Sequence, residues 1–147
     1  MIDKNKISEA ETVKRFLNHA RVDFEEKEID YYPPEPADIW CKDIDKKFQI
    51  VKADFDFQKK IHTQSIVIGS DSRQSVFKKF IIDPIEKKRK YSKEAKGITL
   101  LINSWIEPPW VKGQVDLIKK VNSNYFKSLG FDEIYLVCPQ KNISIFP

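Results

Sequence analysis

Hydrophobic positions fall into two rhythms along this chain, one of helical period and one of strand period. Over residues 7–20 (ISEAETVKRFLNHA), Val13, Phe16, Leu17 and Ala20 recur at the spacing of one helical face. Ser8 and Glu11 stand at capping-box spacing, which predicts a helix with Ser8 as its N-cap. Glu9 lies one turn before Val13, on the edge of the stripe. Its carboxylate belongs either to the rim of the core or to a site. Residues 22–32 (VDFEEKEIDYY) read as extended, with Val22 and Phe24 alternating against acids. Pro33, Pro34 and Pro36 forbid regular pairing and mark a connection. Residues 37–41 (ADIWC) and 47–55 (KFQIVKADF) read as strands, with 42–46 (KDIDK) as a hairpin turn. Residues 65–72 (SIVIGSDS) read as a further strand or strand end that breaks at Gly69.

Helical period returns over residues 72–97, where Phe77, Phe80, Ile81 and Ile85 form a stripe. Pro84 must kink or restart this helix, with Asp83 as a fresh cap, and Gly97 ends it. The apolar run opening residues 98–105 (ITLLINSW) predicts a strand covered on both faces. A second amphipathic helix spans 114–130 and closes at Gly130. Residues 133–138 (EIYLVC) are a buried strand, and 143–146 (ISIF) pair back or finish the sheet. An early meander followed by strand–helix alternation predicts an α/β protein of the α+β kind, a mixed sheet with helices on both faces.

Length adds one constraint: 147 residues suit a single domain over 1–147. A hydrophobic fraction of 41% is ample for a packed interior. No apolar run approaches the ~20 residues of a membrane span, and the N-terminus lacks the pattern of a secretion signal. The expectation is a cytoplasmic protein with no membrane partner. Cys41 and Cys138 lie in apolar strand-like runs without metal-site spacing, so both are expected to be buried, reduced thiols.

Charge is unevenly spread. Residues 25–45 hold eight acids against two lysines, and residues 78–96 hold eight bases against three acids. A phosphate backbone is attracted to the second region and repelled by the first. Lys87, Lys88, Arg89, Lys90 and Lys93, with Tyr91 among them, are the candidate nucleic-acid contacts; a solvated helix face is the plain alternative.

The hairpin carries the candidate chemistry. Metal-assisted phosphodiester cleavage needs hard oxygen ligands and a nearby lysine. Asp38 stands at the mouth of the first strand, and Gln49 and Lys52 on the second. A pairing of Asp38 opposite Val51 puts Gln49 on its face, whereas a pairing opposite Lys52 puts the lysine there. The sequence leaves both registers open.

An acid after proline followed by a second strand with an acid-x-lysine motif resembles the PD-(D/E)xK, or restriction-endonuclease-like, superfamily. Residues 35–51 and 84–104 are also similar to a bacterial family of uncharacterised endonuclease-like proteins. The resemblance covers about residues 8 to 105 and implies a core helix, a three-stranded meander, a helix and a further strand. It implies Asp38 as the first acid, Gln49 where the second acid belongs, Val51 where the lysine belongs, and Lys52 one place later. Glu9 matches a further carboxylate that some members add. Asp38, Gln49 and Lys52 are thus the candidate catalytic residues. Asp38, Gln49 and Glu9 are the candidate ligands of Mg²⁺ or Mn²⁺. Nucleic acid, DNA or RNA, is the implied partner, and a homodimer stays open.

His19 and His62 pair with no carboxylate at a telling spacing, and Ser70 and Ser72 suit a turn or cap. Three functions stand side by side. One is a metal-dependent nuclease, and another a nuclease-fold protein that binds without cutting. The last is an interaction module with an apolar patch around Trp105 and Trp110.

Overall fold

The computed structural model describes residues 2–53, 56, 58–59, 76–89, 95–108, 110 and 112–147. The strand expected at 65–72 lies outside the described residues, as do His62, Ser70 and Ser72.

The first helix, α1 (Lys4–His19), begins a turn earlier than the capping-box spacing predicts. Nothing in residues 4–7 breaks a helix, so it extends back to Asp3, whose carboxylate accepts the Asn5 N–H at 2.7 Å. Ser8 is left inside the helix, its carbonyl accepting from the Thr12 hydroxyl at 3.2 Å. Glu11 faces Lys14 instead of a cap. The buried stripe is Ala10, Thr12, Val13, Phe16 and Leu17, while Ala20 is exposed.

Among the described residues, six strands form one mixed sheet in sequence order: β1 (Ile29–Asp30), β2 (Ile39–Cys41), β3 (Lys46–Lys52), β4 (Ile98–Asn103), β5 (Glu133–Val137) and β6 (Asn142–Phe146). The first three make an antiparallel meander, β3, β4 and β5 run parallel, and β6 returns antiparallel to β5. The extended stretch expected at 22–32 shrinks to β1 behind a 3-10 turn, Glu26–Glu28. Its charged run Glu25–Glu28 has no apolar side chains to place against a core. A 3-10 turn, Lys42–Ile44, and a left-handed Asp45 (φ 48°) connect β2 to β3.

Side chains alternate across the sheet. Phe48, Ile50 and Leu101 pack beneath α1 with Ile39, Cys41 and Val137. Val51, Leu100 and Ile102 face the opposite way, into a second core. A π-helical turn (Lys78–Ile82), α2 (Asp83–Arg89), α3 (Lys112–Val121) and α4 (Ser123–Leu129) supply that core with Phe80, Ile85, Ile118 and Phe126. Helices therefore cover both faces, as the element order implies.

Two helix expectations need correction. The chain does not restart at Asp83, which has helical φ and ψ of −61° and −44° and donates its N–H to the Lys78 carbonyl. The wider π turn just before Pro84 absorbs the clash that a proline ring makes in a regular helix. The helix expected over 114–130 is two, meeting at Asn122, whose side-chain amide donates to the Ile118 carbonyl at 2.8 Å. Gly130 closes α4 at φ 87°.

Cys41 and Cys138 are free and buried. Trp110 is buried against Phe77 and Phe80, whereas Trp105 is 60% exposed, so only one tryptophan of the expected patch faces solvent. Among the described residues, no helix is long and apolar enough to cross a membrane.

Candidate functional site at the mouth of the hairpin

Ile39 pairs with Phe48 and Trp40 with Lys47. One step further along, this register sets Asp38 beside Gln49. Asp38 and Gln49 thus share a face, and Lys52 points from the other. The Asp38 N–H donates to the Phe48 carbonyl at 2.8 Å, and Asp38 Oδ2 accepts the Ile50 N–H at 3.0 Å. The carboxylate takes the place of a main-chain carbonyl where the ladder ends.

Charged groups from both helical layers meet at Asp38. Lys88, from α2, places Nζ 2.6 Å from Asp38 Oδ2, with side chains only 25% and 17% exposed. Lys6, near the start of α1, donates to the Asp38 carbonyl at 2.9 Å and lies 3.5 Å from Glu9 Oε1. The Glu9 carboxyl is held above its ordinary range, first by burial and then by the Asp38 charge; Lys6 and Lys88 pull it back. Two acids whose charges disfavour each other are therefore stabilised by two lysines.

The expected residues divide. Asp38, Glu9 and Lys88 come together. Gln49 is 1% exposed, and its Nε2 donates to the Pro36 carbonyl at 2.6 Å, tying the proline connection (with a cis Glu35–Pro36 bond) to β3. Lys52 is exposed at the end of β3, three residues past Gln49, and does not join the cluster through the hairpin register. Of the basic segment, Lys87 is exposed and Arg89 ends α2, while Lys90, Tyr91 and Lys93 lie outside the described residues. Lys88 turns inward instead of facing a phosphate backbone, because a part-buried carboxylate is a stronger partner than water. His19 places Nε2 2.9 Å from the Cys138 carbonyl.

Sequence reasoning missed Lys6. Its signal was the one-turn spacing to Glu9, which puts both on one helix face.

Among the described residues, no three His, Cys, Asp or Glu side chains are grouped to hold a metal ion. Asp38 and Glu9 act on each other electrostatically, however, each beside a lysine, and two carboxylates would suffice for a hard divalent ion that retains several waters. The fit of Mg²⁺ or Mn²⁺ rests on that pair, whose mutual repulsion a cation would relieve. No protein-family profile, curated protein or solved structure matches this chain.

Proposed function

We propose that the chain acts on nucleic acid phosphodiesters as a metal-dependent, nuclease-like protein. Asp38 and Glu9 are its ligand carboxylates, and Lys88 stands in for the lysine of the motif. The observation that carries this reading is the arrival of Glu9, Asp38 and Lys88 at one point from α1, the mouth of β2 and α2. The order of helix, meander, helix and strand agrees with the restriction-endonuclease-like core that the sequence resembles. A bound divalent ion would supply charge stabilisation at the phosphate. Lys88 would steady negative charge developing on the phosphate. The Asp38–Ile50 bond fixes the carboxylate to the sheet. Lys87, Arg89 and the bases that follow supply sequence-independent backbone contacts.

The 2.6 Å Lys88–Asp38 pair also favours a second reading. A carboxylate already neutralised by lysine suits a nuclease-type fold that binds nucleic acid or a protein partner without cutting. Plasmid DNA, single-stranded DNA and RNA, incubated with Mg²⁺ or Mn²⁺, separate the two. Cleavage that needs metal and is lost in both Asp38→Asn and Lys88→Ala supports the enzyme. Binding without cleavage supports the second reading. Cleavage that survives both substitutions removes the hairpin from the chemistry.

A further inference from the structure

We infer that the carboxyl ends of β3, β4 and β5 hold a phosphate group between Arg15 and Lys52. Arg15, on α1, is half-buried, and its Nη2 donates to Asn103 Oδ1 and, at 3.4 Å, to the Val137 carbonyl. Both acceptors are neutral. Arg15 Nε is buried and has no hydrogen-bond partner among the described residues. None of the ion pairs among the described residues includes Arg15 or Lys52. The nearest acid along α1, Glu11, is paired with Lys14. Glu11 offsets this charge only in part, being exposed and shared with Lys14, and an anion would offset more of the cost of taking a guanidinium out of water.

Lys52 supplies the second charge. It is the register partner of Asn103, and paired residues of parallel strands project to the same face. That face is the α1 side, where Phe48, Ile50 and Leu101 lie. Arg15 and Lys52 therefore approach the same asparagine, one by a hydrogen bond and one by register. His19, one turn beyond Arg15, reaches the Cys138 carbonyl on the same edge. An exposed ammonium and a half-buried guanidinium on one face suit a dianionic phosphate better than a monovalent carboxylate. The site lies roughly 10 Å along β3 from the level of Asp38 and needs neither Asp38 nor a metal.

The phosphate could be free or the end of an oligonucleotide. Inorganic phosphate, a 5′-phosphorylated oligonucleotide and its unphosphorylated counterpart are titrated onto the full chain by calorimetry, in chelator and at fixed ionic strength. Saturable one-to-one phosphate binding, weakened about tenfold in Lys52→Gln and in Arg15→Gln, is the expected result. Arg15 also ties α1 to Asn103, so the exposed Lys52 carries the test if Arg15→Gln fails to fold. Tighter binding of the phosphorylated oligonucleotide than of free phosphate assigns the site to a nucleic acid end; equal binding assigns it to a small phosphate ligand. Phosphate binding unchanged in Lys52→Gln, or no saturable binding, overturns the site. Because no cleavage is read, that failure leaves the proposed nuclease chemistry untouched.

Discussion

Asp38 Oδ2 accepts both the Ile50 N–H and the Lys88 ammonium, so its removal strips two donors at once. Asp38→Ala is expected to lower the unfolding free energy by about 2–3 kcal/mol, and Asp38→Asn, which keeps a neutral acceptor, by about 1 kcal/mol. Urea unfolding of both variants checks this, and asparagine is the cleaner substitution for any activity assay. Glu9 gives a pH prediction. Its carboxyl is raised in the folded chain, so the folded state holds that proton more tightly than the unfolded one. Ionised Glu9 is then a destabilising group above its raised value, and the penalty fades as pH falls through that value towards the ordinary carboxylate range. Glu9→Gln should raise the urea midpoint at neutral pH and match the wild type near pH ~4. A lower midpoint at neutral pH would mean that the Lys6 pair outweighs burial and the Asp38 charge. Asp38 and Glu9 were legible because proline spacing and a helix stripe singled them out. Lys88 was not, since one base within Lys87–Lys90 carries no local mark and only the packing of α2 selects it.

Among the elements, the end of α4 offers the sharpest test. Gly130 sits at φ 87°, and among the described residues a Cβ there would meet only Ala95 Cβ, at 3.8 Å. Space is adequate, so Gly130→Ala isolates backbone strain, expected at about 1 kcal/mol by thermal or urea unfolding. This stop was readable in advance because glycine past an amphipathic run is a local signal. The helix around Pro84 was misread for a related reason. Asp-Pro is an ordinary helix start, but Phe80, Ile81 and Ile85 must all reach the same core. Burying them favours a continuous helix with a π turn over a break. The start of α1 was likewise placed late, because Ser8 and Asp3 both satisfy the chemistry of a cap.

For the molecule as a whole, the two cores on opposite sheet faces seclude both thiols. Burial pushes Cys41 and Cys138 each up to about 12. A thiol-specific reagent at neutral pH should therefore find neither until urea unfolds the chain, when both react together. Reaction of one thiol in the native state would show that its face opens on its own. The mixed sheet was legible from the continuous apolar run of β4 beside the alternating runs of the hairpin. Its pairing register was not, because one residue of slip leaves the sequence pattern of a short hairpin almost unchanged.

Strand order equal to chain order has a kinetic consequence. Among the described residues, every strand after the first joins a sheet edge already made by the strand before it, so none of them must be inserted between two paired neighbours. Growth of the sheet can keep pace with synthesis. α1 cannot, because Arg15 reaches the Val137 carbonyl and Asn142 reaches the Phe16 carbonyl across most of the chain's length. α1 is thus made before these strands but fully seated only after them, and native Arg15 contacts should form only after β5 and β6 emerge.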